Sequence, residues 1–192
     1  GTANVVVYVR GRGIIAIEPS SVALRRTGKK NREDVIAVGA AARAMVGKTP
    51  NGVLTVRPLL HGVIADYEMT EVMIGHFMSL VNNRNRFLSH PRVVICAPAC
   101  VTEVERRAII DATLGAGARE AYVVEEPIAA ALGAGLEIYQ PTGNMILDIG
   151  GGTTEVAVLS MGGIVIKSSL RSAGDEMDEA IISMMRQQYT LS

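Results

Sequence analysis

Two short stretches of this sequence share one pattern, and this repeat constrains the fold more than any other feature does. The pair Gly1-Thr2 precedes an apolar run at 5–9, and the pair Gly152-Thr153 precedes an apolar run at 156–159. A second glycine turn and another β-branched run follow in both places. The first glycine of the pattern is at position 1 in one copy and at position 152 in the other, a shift of 151. The alignment of the copies slips by one residue at the second turn. Two such hairpins predict a duplicated domain that holds a nucleotide between its halves.

The later copy contains a glycine triplet at 150–152, which is typical of a phosphate-binding turn. Glycines permit positive φ angles and a close approach of the backbone to a ligand. Successive N–H groups can then converge on an anion, and the hydroxyls of Thr153 and Thr154 add donors. Asp148 lies on an apolar strand that we predict to be buried on both faces, where a divalent cation with its waters would explain a carboxylate. The alternative is a tight hairpin with a solvated Asp148, and the repeat favours the phosphate site.

Composition and charge exclude several classes of protein. The 192 residues are 48% hydrophobic, enough for one large or two small domains with a packed core. With 19 basic and 19 acidic residues the net charge is zero, so we expect no nucleic acid partner bound through bulk charge. Cys96 and Cys100 lack further ligands for a metal and predict reduced thiols of a cytosolic protein. No apolar run approaches the roughly 20 residues of a membrane-spanning helix.

Local patterns predict an alternation of strands and helices. We predict strands near 4–10, 14–17, 21–25, 35–38, 92–97, 121–124 and 145–149, a polar turn at 25–31, and helices near 40–45, 70–81, 102–114 and 128–132. This order indicates an α/β fold with a parallel or mixed sheet covered by helices. Ligands in such sheets bind beyond the carboxyl ends of strands, where Glu125, Glu126 and Asp148 are placed.

Several of these motifs together resemble a known superfamily. The stretch 148–155 and the stretch 125–131 resemble the actin-like ATPases, which include actin, the 70 kDa heat-shock chaperones and sugar kinases. The segments 57–66, 104–109 and 173–181 are similar to the MreB family of bacterial actin homologues. The resemblance extends from position 1 to position 189, and its motifs occur in the family's order.

The resemblance implies a fold and a division into domains. It implies duplicated actin-like (ribonuclease H-like) domains with mixed β-sheets flanked by helices. The first domain would cover 1–142, with a small outer subdomain at about 18–56, and the second would begin at 143–192. Both ends look cut, so we expect a fragment that binds nucleotide poorly or not at all.

The resemblance also implies cofactors, namely ATP and Mg²⁺, and roles for individual residues. Asp148 would hold Mg²⁺ through water, and Glu126 would position the attacking water with the help of Thr153. The remaining positions of the two phosphate loops and of the turn into the last helix are Gly1, Thr2, Ala3, Asn4, Gly150, Gly151, Gly152, Gly174 and Asp175. An alternative for Glu126 is an acid placed at a helix N-terminus because the helix dipole favours it there.

A basic and polar stretch at 82–90 carries the adjacent apolar residues Phe87 and Leu88. An exposed apolar pair flanked by arginines suits the membrane interface. The resemblance implies a membrane-inserting loop at this place. The alternative is that both side chains fold back onto the core.

The resemblance finally implies a cellular role. We expect a cytoplasmic cytoskeletal protein that forms homopolymer filaments at the inner face of the cytoplasmic membrane. With the cell-wall elongation machinery as its partner, it would organise peptidoglycan synthesis and rod shape. A monomeric actin-fold ATPase of the chaperone class and a sugar or acid kinase are the alternatives, because a fold alone does not determine function.

Overall fold

The computed structural model describes residues 1–27, 32–48, 52–81 and 90–189. The strands are β1 Asn4–Val9, β2 Gly13–Pro19, β3 Val22–Thr27, β4 Arg32–Val38, β5 Val53–Val56, β6 Leu59–Leu60, β7 Val63–Ile64, β8 Arg92–Ala97, β9 Glu120–Glu125, β10 Asn144–Ile149, β11 Thr154–Ser160 and β12 Gly163–Leu170. The helices are α1 Ala40–Arg43, α2 Tyr67–Val81, α3 Glu103–Gly115, α4 Glu126–Gly133 and α5 Gly174–Tyr189. The predicted alternation of strands and helices is therefore confirmed in the described residues.

The two copies of the repeat form the same hairpin. Strands β1 and β2 pair antiparallel, with a register shift between Val7 and Tyr8. Strands β11 and β12 also pair antiparallel, with a register shift between Val158 and Leu159. The shift of 151 derived from the sequence carries position 7 onto position 158. The two hairpins thus have an irregularity at the same place, which supports duplication independently of the glycines.

Strand β10 extends the second hairpin to a three-stranded antiparallel sheet. Met145, Leu147 and Ile149 alternate with Asp148 along β10 and are 68%, 55% and 53% exposed. The prediction that this strand is buried on both faces is therefore wrong for the described structure. A continuous apolar run has the same sequence signature whether one face or both are covered, and here nothing described covers the second face.

The parallel pair β8–β9 is built as a β-α-β unit around α3. The Thr102 hydroxyl caps α3 by accepting a hydrogen bond from the Glu105 N–H at 3.2 Å, and the Thr102 N–H donates one to the Glu105 carboxylate at 2.7 Å. This reciprocal capping box confirms the predicted start of the helix. Helix α4 follows β9 directly, with Pro127 in its first turn. The order places Glu125 and Glu126 where the strand ends.

The outer three-stranded sheet, in the order β4-β3-β5, packs its central strand against α2. The core there is formed by Val22, Leu24, Met69, Met73 and Phe77. Residues 25–27 continue β3 and do not belong to the predicted turn. Helix α2 begins three residues before the predicted Thr70, because the Asp66 carboxylate accepts the Met69 N–H at 3.0 Å.

A second core joins α4 to β11 across the predicted boundary at position 142. It consists of Ala131, Ile138, Ala157 and Leu159. Helix α5 has no buried residue within the described structure. The spacing of Met177 and Ile181 is typical of a helix face that packs on a core, yet these residues are 54% and 57% exposed. None of the helices in the described ranges is long and apolar enough to cross a membrane.

Candidate functional site

The two Gly-Thr turns contact each other, which brings the two predicted phosphate loops together. A Cβ atom added at Gly151 would lie 2.5 Å from the Cβ of Ala3, and one added at Gly152 would lie 2.8 Å from Cγ2 of Thr2. Both distances are too short for real side chains, so these glycines are required by the contact between loops. Thr2 and Thr153 are buried at this contact.

The glycine triplet does not adopt the left-handed conformations that glycine permits. None of Gly150, Gly151 and Gly152 has a φ angle in the left-handed region. The prediction of positive φ is therefore wrong, and close approach is the reason for glycine here. The Gly150 N–H is occupied by the Thr153 carbonyl at 2.9 Å, and the Thr154 hydroxyl donates to the Ser172 carbonyl at 2.7 Å. The Thr154 hydroxyl is thus engaged within the fold.

A third segment, the turn that contains Gly62, contacts both loops. The Gly62 N–H donates to the Thr2 hydroxyl oxygen at 3.1 Å. Gly62 has a φ angle of +78°, and an added Cβ would lie 2.8 Å from Cγ2 of Thr153. The turn that contains Gly62 therefore touches both Gly-Thr turns, although the sequence assigned it no role in the site.

Three carboxylates surround the loops. Asp148 and Glu155 are directly paired across β10 and β11, so their side chains share one face of the sheet. Glu126 is the first residue of α4. Burial raises the pKa of Glu126, and the charges of Glu155 and Asp148 add to the shift. Mutual repulsion of this kind is relieved by a cation.

The donor set fits a hydrated cation better than a directly ligated one. Within the described residues no three His, Cys, Asp or Glu side chains are placed to ligate a metal together. Mg²⁺ usually keeps several of its waters and is bound through one or two carboxylates. Asp148, for which the family resemblance implies water-mediated binding, is compatible with this mode. Its assignment stays a prediction.

Glu155 is the most buried acid of the group, with 1% exposure. One carboxylate oxygen, Oε1, accepts the Ala99 N–H at 2.8 Å. The other, Oε2, has no hydrogen-bond partner among the described residues. Burial raises the pKa of Glu155, and the hydrogen bond from Ala99 opposes the shift. The folded protein therefore favours the protonated form of this carboxyl relative to the unfolded chain.

This shift makes stability depend on pH in a defined direction. Because the folded state holds the proton more tightly, the contribution of Glu155 falls as pH rises from its unfolded pKa through its raised folded pKa. Glu155→Gln removes that titration, so we expect it to raise the free energy of unfolding by about 1 kcal/mol at about pH 7.5 and by less at about pH 4. Denaturant titrations at both pH values measure it, with the exposed Glu137→Gln as the control. An equal gain at both pH values would contradict the assignment.

The start of α5 supports the second Gly-rich loop from behind. The N–H groups of Gly174 and Asp175 donate to the carbonyls of Gly150 and Gly151 at 3.1 and 2.8 Å. The Asp175 carboxylate accepts a hydrogen bond from Arg57 at 2.8 Å. These groups therefore position the loop, and a direct nucleotide contact of Gly174 or Asp175 stays a prediction. No local sequence pattern indicates that Arg57 is the partner of Asp175, since the two residues are 118 positions apart.

The other predicted site residues divide into two groups. Thr2 and Ala3 lie at the contact between the loops, the Gly1 carbonyl accepts a hydrogen bond from the Ser20 hydroxyl, and Asn4 is the exposed first residue of β1. Phe87 and Leu88, the predicted membrane contact, lie outside the described residues. Lys167 of β12 was missed, although it bonds to both Ala99 and Glu125 at the edge of the site.

Comparison with known proteins places the sequence among bacterial actin homologues. The family described as MreB/Mbl protein matches residues 1–192. The cell shape-determining protein MreB of Escherichia coli (strain K12) is 50% identical over 189 residues, which are 98% of this chain and 54% of that protein. The cell shape-determining protein Mbl of Bacillus subtilis (strain 168) is 50% identical over 191 residues, which are 100% of this chain and 56% of that protein. The chain thus spans about half the length of the curated relatives it matches.

Solved structures agree with the sequence comparison. The crystal structure of MreB5 of Spiroplasma citri bound to ADP superposes with a TM-score of 0.89 at 40% identity. The alignment covers 100% of this chain and 56% of that one. The MamK double helical filament matches with a TM-score of 0.78 at 21% identity, over 99% of this chain and 57% of that one. At that identity the second match supports the actin-like fold alone.

Proposed function

The chain belongs to the MreB/Mbl family and has the actin-like fold, and we propose that it is the part of an ATP-dependent filament protein that carries both phosphate loops. The observation that carries this proposal is the direct contact between the two Gly-Thr turns, with Glu126 and Asp148 beside it. The solved relatives from Spiroplasma citri were bound to ADP and AMPPNP, which supports a nucleotide as the ligand.

The loops and the acids would have different roles in phosphoryl transfer. Backbone N–H groups and the Thr153 hydroxyl would bind and orient the terminal phosphates, since this reaction depends mostly on positioning and charge stabilisation. Asp148 would hold Mg²⁺ through water, and the ion would neutralise phosphate charge when bound. Glu126 would orient the attacking water, with the Thr153 hydroxyl as its second hydrogen-bond partner.

The environment of Glu126 suits that role. A general base works best when its pKa lies near the working pH, and burial raises the pKa of Glu126 from the usual range of a carboxyl. Its place at the start of α4 also fits the alternative of an acid favoured by the helix dipole. A purely dipolar role does not require two further acids nearby, so we favour the role in hydrolysis.

We also propose the division into domains that the family resemblance implies. Residues 1–142 would form the first actin-like domain, with 18–56 as its small outer subdomain, and 143–192 would begin the second. The separate sheet β4-β3-β5 supports the outer subdomain, and the repeated bulged hairpin supports the duplication. The nucleotide would then lie between the two halves.

For the full-length protein we propose polymerisation on the inner face of the cytoplasmic membrane. Its relatives are cell shape-determining proteins, and a filament would organise cell-wall synthesis together with the elongation machinery. Phe87 and Leu88 would insert into the lipid. One such loop binds weakly, so a filament would add avidity by presenting many loops to one surface.

Co-sedimentation with liposomes tests this proposal. Full-length protein is mixed with liposomes of anionic lipid and Mg-ATP, or with no nucleotide, and the pellet is imaged by electron microscopy. We expect filaments on lipid that depend on ATP. Soluble protein that still hydrolyses ATP would instead favour the chaperone-like or kinase alternatives.

Replacement of the two apolar residues tests the membrane contact. We expect Phe87→Ser with Leu88→Ser to reduce the pelleted fraction at least about tenfold, because the apolar area that enters the lipid is lost. Tyr139→Ser with Met161→Ser is the matched control, since both residues are exposed and apolar but lie elsewhere. Unchanged liposome binding by the Phe87 and Leu88 variant would show that this loop is not the anchor.

A further inference from the structure

One residue of the first part of the chain, Ala99, is bonded through both its backbone N–H and its backbone carbonyl to residues of the second part. The Ala99 N–H donates to Oε1 of Glu155 at 2.8 Å, and the Ala99 carbonyl accepts a hydrogen bond from Nζ of Lys167 at 2.5 Å. Ala99 is 3% exposed and lies just after β8. Glu155 and Lys167 lie on the neighbouring strands β11 and β12. This arrangement, which we call the Ala99 clamp, fixes the loop after β8 against the second hairpin.

Lys167 makes a second contact that extends the clamp to α4. Its ammonium group is 3.0 Å from Oε1 of Glu125, in an ion pair whose side chains are 35% and 22% exposed. Glu125 is the last residue of β9 and the residue before α4. Arg106 of α3 lies 3.9 Å from the same oxygen. The carboxylate next to Glu126 is therefore close to two cations.

The position of Lys167 connects this clamp to the second phosphate loop. Thr153 ends that loop, and β11 and β12 follow it as one antiparallel hairpin. A paired hairpin is stiff, so a bond from Lys167 to Glu125 sets the separation between the loop and the start of α4. Glu155, on the same hairpin, adds the bond to Ala99. Without Lys167 the Glu125 side chain keeps only the longer contact to Arg106 among the described residues.

We propose that Lys167 is a positioning residue for hydrolysis, because its bonds to Ala99 and Glu125 hold Glu126 at the working distance from the Thr153 loop. The inference rests on the proposed role of Glu126. Misplacing a catalytic group by about 1 Å can cost about 100-fold in rate, whereas phosphate binding by the loops tolerates a small shift at α4. Loss of the clamp therefore lowers kcat more than it weakens ATP binding.

Steady-state phosphate release and fluorescent ATP titration of the full-length protein test the inference. We expect Lys167→Met to lower kcat about tenfold and to change the Kd for ATP less than about twofold. Lys167→Arg restores kcat to within about threefold, because the guanidinium can still bond to both oxygens. Glu125→Gln by itself also lowers kcat. In the double variant, however, Glu125→Gln lowers kcat little further than Lys167→Met does, as expected for residues that act through one contact.

Matched variants separate positioning from stability. Arg119→Met removes a surface ion pair with Glu120 and leaves kcat unchanged. Pelleting at several protein concentrations and the Tm are measured for each variant. These measurements distinguish loss of polymerisation or of folding from misplacement of Glu126. An unchanged kcat in Lys167→Met overturns the inference. So does an equal fall of kcat and affinity, with a lowered Tm, that Lys167→Arg does not rescue.

Glu126→Gln distinguishes failure of the inference from failure of the proposed function. If Glu126→Gln abolishes turnover and Lys167→Met leaves it intact, Lys167 has no positioning role but the proposed site stands. If Glu126→Gln itself turns over normally, the proposed function is wrong and the inference falls with it.

Discussion

Replacement of Glu126 by alanine will abolish ATP turnover by the full-length protein and leave ATP binding in place. Glu126 starts α4, where burial raises its pKa and the charges of Glu155 and Asp148 add to the shift. A side chain that only orients or deprotonates water contributes to the transition state and little to ground-state binding. We expect a loss of about 100-fold to 10,000-fold in kcat, the range for a general base.

Phosphate release and equilibrium binding of a fluorescent ATP analogue measure the two effects separately. Glu126→Gln should behave like Glu126→Ala, because the amide keeps the shape but cannot accept a proton. Glu137→Gln is the control, since Glu137 is an exposed carboxylate that follows the same helix. Phosphate release at the parental rate from Glu126→Ala would remove Glu126 from the mechanism and favour the helix-dipole explanation.

Replacement of Gly152 by alanine will separate the two phosphate loops. The new Cβ would lie 2.8 Å from Cγ2 of Thr2, 3.0 Å from its hydroxyl oxygen and 3.1 Å from Cα of His61. The last contact is to backbone, so a rotamer change cannot relieve it. Overpacking of this kind costs about 1–3 kcal/mol. Because the proposed function requires both loops to converge on one set of phosphates, we also expect the affinity for ATP to fall at least about tenfold.

The second hairpin supplies its own control for this variant. Gly163 has no atom within 4 Å of an added Cβ, and its φ angle lies outside the left-handed region. Gly163→Ala should therefore change the free energy of unfolding by no more than about 0.5 kcal/mol. Denaturant unfolding and ATP titration of both variants give the comparison. Equal behaviour of Gly152→Ala and Gly163→Ala would mean that the loops do not need their close contact.

Features contained within a few consecutive residues could be predicted from the sequence. The capping box at Thr102 and the helix after β9 are of this kind, because side chains three or four positions apart already meet in the local structure. The hairpins join strands that are neighbours in the sequence. The motifs around Asp148 and Glu126 were specific enough to indicate the family, which the match over residues 1–192 confirms. A missed Asp66 cap delayed the predicted start of α2.

Features that depend on which surfaces meet could not be predicted in this way. The exposed face of β10 and the exposed Met177 and Ile181 have sequence patterns that a buried surface would share. The glycine triplet was predicted for a close approach to a ligand, whereas Gly151 and Gly152 are required by the neighbouring loop and none of the three has a positive φ angle.

By itself the sequence determined the repeat, its glycine turns and the order of strands and helices, because these depend on interactions between near neighbours along the chain. The tertiary structure decided how the two copies meet, and it decided the partners of Arg57, Glu155 and Lys167. Arg57 lies 118 positions from its partner Asp175, and Glu155 and Lys167 lie 56 and 68 positions from their partner Ala99. No periodicity records contacts over such separations, since they exist only after the sheets and helices have packed together.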